Sequence, residues 1–232
     1  MTIKKYEDNI KQEISNIIEE IISNNPTLSI SVKSRGGAEI SDWIEEQFVH
    51  YTKDSKVLLN SEQAPKEKTK NPWDAKTFYL FNGHKEEIWI DFKAFKIDKA
   101  DSNPDIGTPD KLIKHINNGN FYLLFIHLFY KETSIGLKFA KMQNNYVKSY
   151  FLKDVSSTVR RNTKNQLQVN ISAEPEYRTR DEFIAFFIKK LKEGYDRQIK
   201  LANDRKDKIN IIENELIISN KHSLKAIEEI LQ

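Results

Sequence analysis

The chain has 232 residues, 38% hydrophobic and 11% aromatic, with no cysteine and a net charge of +3. That composition supports a sizeable core and excludes a disordered chain, a disulfide framework and a thiolate zinc site. The opening stretch MTIKKYEDNIKQEI carries charges where a signal peptide needs an apolar run, and the longest apolar stretch, FYLLFIHLFY (121–130), is too short to cross a bilayer. The expectation is a soluble cytoplasmic protein with no membrane partner.

Residues 3–24 predict an amphipathic helix, with Tyr6, Ile10, Ile14, Ile17, Ile18 and Ile21 on one stripe and NNPT ending it. A second helix, 38–51, follows RGG and carries Ile40, Trp43, Ile44, Phe48 and Tyr51 on its apolar side. KDSKVLLNSEQAPKEKTKNPWD (53–74) is polar and proline-marked and reads as a surface loop. AKTFYLF and EIWIDFKAFKI flank Asn82-Gly83, the strongest short signal for a β-hairpin. DKADSNPDIGTP reads as another loop. The next helix has Thr108 as N-cap, Pro109 at its first position and Gly119 just past its end. FYLLFIHLFY then predicts a fully buried central strand, with His127 as a core histidine rather than a ligand. Further strands fall within 137–154 and 166–172. TRDE (179–182) fits a capping box and opens a long helix through Phe183, Phe187, Leu191 and Tyr195, with more helix to the C-terminus. The fold class this order predicts is α/β, a mixed β-sheet core flanked by helices. It forms one domain over 1–232: an N-terminal helix (1–24), a core (38–172) and C-terminal helices (179–232).

Charge is unevenly spread. Lys131, Lys138, Lys141, Lys148, Lys153, Arg160, Arg161 and Lys164 face only Glu132 and Asp154 between 131 and 170. Such a segment suits a polyanion, or is simply a solvated lysine-rich surface.

The stretch EEIWIDFKAFKI (86–97) holds Asp91 and Lys93 two residues apart, so both point to the same side of a strand. A D-x-K pair can be an ordinary ion pair on a solvated edge strand. Here Ile88, Trp89, Ile90, Phe92 and Phe95 surround it, and burying an ammonium beside a carboxylate costs free energy that a merely structural strand could avoid. Asp74 stands at the mouth of the preceding hairpin strand, near the same end as Asp91. Two converging carboxylates suit a hard cation such as Mg²⁺, and Lys93 on the same face can hold the water that such an ion acidifies. Those are the needs of phosphodiester hydrolysis. Glu39, at the start of the second helix, could join the site if that helix end points inward.

Proline, Asp74 (with Trp73 inserted between them), a hairpin and then D-x-K resemble the PD-(D/E)XK nuclease superfamily. GAEISDWIEEQF, QAPKEKTKNPWDA, EEIWIDFKAFKI, DSNPDIGTP, GNFYLLF and AEPEYRTRDEF are similar to a narrower family, the SwaI-like type II restriction endonucleases. The likeness runs through most of the chain, most strongly near 60–125 and 170–200. It implies a restriction-endonuclease-like fold, with 38–172 as the catalytic and DNA-reading core. It implies a Mg²⁺-dependent homodimer that cuts both strands of double-stranded DNA at a palindromic A/T-rich site resembling ATTTAAAT, leaving blunt ends. A companion DNA methyltransferase would act separately, not as a subunit. The resemblance carries over Asp74, Asp91 and the Phe92 backbone carbonyl as metal ligands, Lys93 as the residue orienting water, and Glu39 as the helix acid.

Base reading asks for amides and arginines in a groove, with lysines on phosphates. Three stretches offer them: Gln63, Lys66, Lys68, Lys70 and Asn71 before the hairpin; Asn103 and Thr108 after it; and Arg160, Arg161, Asn162, Lys164, Gln166, Gln168 and Asn170 further on. Amides pair bidentately with adenine, although asparagine-rich loops are common in such compositions. A structure-selective repair nuclease would need no such loops. A DNA-binding protein that had lost its chemistry would not need Asp74, Asp91 and Lys93 together. The N-terminal stripe and the C-terminal helices each offer a dimer surface.

Overall fold

Asn82 and Gly83 hold φ of 48° and 79°, the left-handed values a two-residue hairpin turn requires. They join β3 (Ala75–Phe81) to β4 (His84–Lys96), with Ala75 opposite Ile90 and Phe81 opposite His84. The computed structural model describes residues 1–29, 36–65, 73–99, 102–134, 136–142 and 144–231, so Lys66, Lys68, Lys70 and Asn71 lie outside the described residues.

β4 continues past the end of β3, and there it runs parallel to β6 (Leu123–Thr133), from Trp89 opposite Leu123 to Lys96 opposite Tyr130. Parallel neighbours need a crossover. This one contains β5 (Asp105–Gly107) and α3 (Pro109–Asn117), with Thr108 as its N-cap and Pro109 in its first turn. As predicted, β6 is central and buried from Leu123 to Tyr130. β7 (Gly136–Phe139) and β8 (Val147–Phe151) both pair with it. β1 (Thr27–Leu28) closes one edge against β7, and β2 (Leu58–Gln63) closes the other against β3. The sheet order is β1-β7-β6-β4-β3-β2. A small second sheet sets β10 (Leu167–Gln168) between β5 and β9 (Arg160–Arg161).

Helices cover both faces. On one, α1 (Ile3–Asn24) and α2 (Gly36–Tyr51) pack Ile10, Ile14, Ile18, Ile44 and Phe48 onto Ile88, Ile90 and Phe92. Each such burial stabilises the fold by roughly 1.5–3 kcal/mol. On the other, α3 and α4 (Arg180–Leu231) bring Leu112, Phe183, Phe187 and Leu191 to Leu123 and Phe125. The expected capping box is present: the Thr179 backbone N–H donates to the Glu182 carboxylate at 2.8 Å, and that of Glu182 to the Thr179 hydroxyl at 3.3 Å. Among the described residues no helix is long and apolar enough to cross a membrane.

Four expectations are corrected. The loop predicted over 53–74 contains β2, an edge strand in which Leu58 alone is buried, while Asn60 and Glu62 are exposed and Ser61 and Gln63 half-buried. The loop predicted after β4 contains β5. The C-terminal helices are one continuous helix, α4, and neither glycine nor proline interrupts it after Gly194. The basic segment is not uniformly a surface. Lys153 is fully buried, with its ammonium 2.9 Å from Glu7 and 2.7 Å from Asp154. Lys148 donates to the carbonyls of Ile171 and Ala173 at 3.3 and 2.8 Å, and Arg161 stacks 4.0 Å above Tyr195. Lys131, Lys138, Lys141, Arg160 and Lys164 are the exposed members.

Candidate active site

The site arises from the mismatch in length between β3 and β4. Asp74, one residue before β3, donates its backbone N–H to Ile90 at 2.8 Å, and its carboxylate accepts the N–H of Phe92 at 2.7 Å. It thereby satisfies a backbone donor on the part of β4 that β3 does not reach. In an extended strand a residue's N–H and C=O leave on the same edge, so the Phe92 carbonyl lies on the edge that Asp74 occupies. The Ser41 hydroxyl, from α2, donates to that carbonyl at 3.3 Å. Gly37 makes this approach possible: a Cβ there would stand 2.9 Å from the carbonyl oxygen of Ala94.

Strand alternation separates the neighbours. Ile90 and Phe92 turn into the layer under α1 and α2, while Asp91 and Lys93 turn to the opposite face, with Lys93 Nζ 2.5 Å from Asp91 Oδ1. Both are partly accessible, and they line a cavity of about 180 Å³ with Asp105, Gly107, Thr108, Lys111 and Gln166.

The electrostatics are those of a carboxyl pair short of positive charge. Burial, followed by the charge of Asp91, pushes the Asp74 carboxyl up to about 7, against the pull of Lys93 and the Phe92 N–H. Burial also raises Asp91 above the ordinary carboxylate range. Burial works against the charge of Lys93, but Asp91, Asp74 and Asp105 together hold it above the usual lysine value. His127, opposite Lys93 on β6, is depressed to about 3, mainly by burial. It is therefore a neutral core residue, with Nε2 3.3 Å from the Tyr150 hydroxyl.

Among the described residues no group of three or more His, Asp or Glu side chains could hold a metal by itself. Mg²⁺ does not need one, since it takes one or two carboxylates and keeps several waters. Asp74, Asp91 and the Phe92 carbonyl fit that demand. Glu39 lies in the first turn of α2, and its Oε2 is buried without a hydrogen-bond partner among the described residues. Such an atom fits a water or cation better than it fits an apolar packing role.

The other predicted residues divide. Gln63 ends β2 opposite Ala75, and the next residue's N–H donates to the Asp74 carbonyl at 2.7 Å. Thr108 and Gln166 line the cavity, Thr108 without a side-chain cap hydrogen bond. Asn103, Arg160 and Lys164 are exposed. Asn162 and Gln168 instead donate to Asp105 Oδ1 at 3.3 and 2.8 Å, which ties β9 and β10 to β5. Asn170 accepts the Ser172 N–H at 2.9 Å within its own turn. Sequence reasoning passed over Ser41, Asp42, Asp105 and Lys111. Asp42, whose charge also raises Asp74, stands three residues after Glu39, a same-face helical spacing that would have flagged it.

Two carboxylates and a lysine thus stand close to one another on β4 and its open edge, beside a cavity lined by Gln166 and the N-terminal end of α3. The comparisons with known proteins give the class: this is a type II restriction endonuclease. Within that class, the chain belongs to the SwaI-like family, whose model, described as SwaI restriction endonuclease, matches residues 2–209. Among solved structures, NlaIV restriction endonuclease is 12% identical, with 82% of this chain and 79% of that chain covered at a TM-score of 0.49. A search of curated proteins gave no match.

Proposed function

We propose that the protein is a Mg²⁺-dependent homodimer that cleaves both strands of a palindromic, A/T-rich, ATTTAAAT-like site in double-stranded DNA, leaving blunt ends. A separate DNA methyltransferase would protect the host's own sites. The observation that supports the catalytic assignment best is the Asp74–Phe92 hydrogen bond. It sets the Asp74 carboxylate beside the peptide that links Asp91 and Lys93.

In this reading Asp74, Asp91 and the Phe92 carbonyl hold the cation, with Glu39 behind them through water. The cation supplies charge neutralisation at the phosphate and acidifies water. Lys93, kept protonated by Asp91, donates to the attacking water and orients it toward phosphorus. Ser41 and the Asp74–Phe92 bond fix the Phe92 peptide plane, so the site is organised before substrate arrives. Among the described residues, Gln63, opposite Ala75, and Thr108 and Gln166, in the cavity with Asp91 and Lys93, are the leading candidates for DNA contact, with Arg160 and Lys164 on phosphates.

A chain with one Asp74/Asp91/Lys93 set cuts one strand at a time, and a palindrome lets two copies place identical sites on the two strands. The test is incubation of a sequenced plasmid with Mg²⁺, followed by mapping of the ends. Discrete blunt fragments at one A/T palindrome support the reading; ladders, smears or cleavage unaffected by EDTA refute it. A purified mixed dimer of wild-type and Lys93→Ala chains should nick rather than linearise.

A further inference from the structure

The turn that joins β9 to β10 carries amides whose direction is fixed by their partners. Asn162 Oδ1 accepts the backbone N–H groups of Lys164 and Gln166, both at 2.9 Å, and the Asn162 N–H donates to the Gln166 carbonyl at 2.8 Å. An amide oxygen has two lone pairs, so two donors fill it, and the other end of the Asn162 side chain must be its NH₂ group. That group faces two acceptors, Asp105 Oδ1 at 3.3 Å and Gln166 Oε1 at 3.4 Å. Gln168 Nε2 reaches the same Asp105 oxygen at 2.8 Å. An ionised carboxylate only accepts, so beside Asp105 neither amide can be turned over.

The direction passes from Asp105 through Asn162 to Gln166. With Oε1 held toward the Asn162 NH₂ group, Gln166 has its own NH₂ group to offer elsewhere. It lines the cavity of about 180 Å³ with Asp91, Lys93, Thr108 and Lys111. Apart from the carboxylates of Asp91 and Asp105, the other polar side chains there are donors: two ammonium groups, and a threonine hydroxyl that makes no cap hydrogen bond. Adenine asks an amide for one donor and one acceptor at once. Gln166 does not have both available, and neither does Asn162, whose oxygen is committed within the turn. Cations and neutral donors together suit a phosphate oxygen instead.

We propose that Gln166 donates through Nε2 to a phosphate oxygen of the DNA beside the bond that is cut, and that Asp105 is the positioning residue that fixes this polarity through Asn162. The inference rests on the nuclease reading and assigns Gln166 to the DNA backbone rather than to adenine.

Cleavage of the site duplex by the wild type is the reference, and its absence would defeat the nuclease reading itself. Against a cleaving wild type, Gln166→Met, close in size but without the donor, should cut roughly 10- to 100-fold more slowly, the usual effect of one hydrogen bond to a charged group. An undiminished rate overturns the proposal while the nuclease reading stands. A methylphosphonate at the contacted phosphate, found by substituting those that flank the cut one at a time, should slow the wild type by at least that factor and Gln166→Met markedly less. If no flanking phosphate behaves so, or if 7-deazaadenine is the change that spares the variant, the phosphate contact is refuted. Asp105→Ala should lose no more than Gln166→Met, and the double variant no more than either alone, because both act through one contact. Additive losses would leave Asp105 a purely structural link between β5 and β10. Asp105→Asn keeps an oxygen toward both amides and should retain most of the rate. If it falls as far as Asp105→Ala, Asp105 acts through its charge on Lys93, and the relay through Asn162 is overturned.

Discussion

Asp74 and Phe92 are joined by a 2.7 Å hydrogen bond from the Phe92 N–H to the Asp74 carboxylate, across the point where β3 stops and β4 continues. One acidic side chain therefore does two things: it closes a strand edge and brings a second carboxylate to the Asp91–Lys93 pair. Removing the charge and removing the hydrogen bond can be separated. Asp91→Ala and Lys93→Ala should each lower cleavage by roughly 10³-fold with DNA binding in Ca²⁺ largely kept, and Lys93→Ala should also cost some stability, because it leaves the Asp91 carboxylate without its cation. Asp74→Ala should lose cleavage to the same degree and some stability too, because it leaves the Phe92 N–H unpaired. Rate measurements beside urea unfolding decide it, and full cleavage by the Lys93 variant would remove that residue from the mechanism.

The raised carboxyls predict a pH dependence with a definite sign. The Asp74 carboxyl titrates near 7 in the fold and in the usual acidic range when unfolded. A group whose folded pKa is raised stabilises the fold at low pH, and that contribution is lost as pH rises through the folded value. Without divalent cation, stability should therefore fall between about pH 4 and 7, and Asp74→Asn should flatten that fall. Mg²⁺ or Ca²⁺ requires the ionised carboxyl, so its apparent affinity should climb about tenfold per unit below pH 7 and level off above. Urea midpoints across pH, with and without Ca²⁺, read both effects. A cation affinity that is flat from pH 5 to 8 would contradict the assignment of Asp74 as a ligand.

The parts of the fold that the sequence states openly are those in which a few neighbouring residues carry the physics. Asn82-Gly83 alone dictates the turn, Thr179 and Glu182 cap α4 between themselves, and Asp91-x-Lys93 shares a face through strand periodicity. What stayed hidden depends on partners distant in the chain. β2 is held by its pairing with β3, so Asn60 to Gln63 read as a loop until that strand is placed beside them. Lys153 looked like a phosphate contact because nothing near it except Asp154 hints that Glu7, at the other end of the chain, would neutralise it in the core. Asp105 acquires its role only once β5 and β10 pair, and the Asp74–Phe92 bond exists only because two strands differ in length.

The reassignment of Lys153 is testable against an exposed neighbour. Lys153 is fully buried and is held by Glu7, by Asp154 and by the Arg178 carbonyl, to which it donates at 2.7 Å. Removing one partner of such a cluster leaves uncompensated buried charge. Lys153→Ala should cost roughly 3–5 kcal/mol of stability while leaving the salt dependence of DNA binding as it is. Lys164, exposed, should behave oppositely. Lys164→Ala should leave stability unchanged and, if the residue meets a phosphate, reduce the slope of log affinity against log salt by about 0.9. Binding isotherms at several salt concentrations separate the two. A lower slope for a folded Lys153 variant would return it to the DNA-facing surface.

Gly37 offers the last prediction, and magnitudes decide its direction. It lies within α2, where replacing glycine by alanine ordinarily stabilises a helix by about 1 kcal/mol. Here the added methyl would lie 2.9 Å from the Ala94 carbonyl oxygen, a backbone atom of the catalytic strand that cannot swing aside. Relieving that overlap means lifting the start of α2 from β4, at a cost of roughly 1–3 kcal/mol, so the net effect of Gly37→Ala should be destabilising. The same movement carries Glu39 and Ser41 away from the Asp74–Phe92 edge. Cleavage should then fall further than stability alone explains, and the loss should appear in kcat more than in KM, because a distortion centred on the reacting edge leaves most of the DNA contact surface in place. Ala38→Ser, at the exposed neighbouring position, is the control and should change both quantities little. A Gly37→Ala enzyme that is more stable than wild type and equally active would show that α2 does not depend on this close approach.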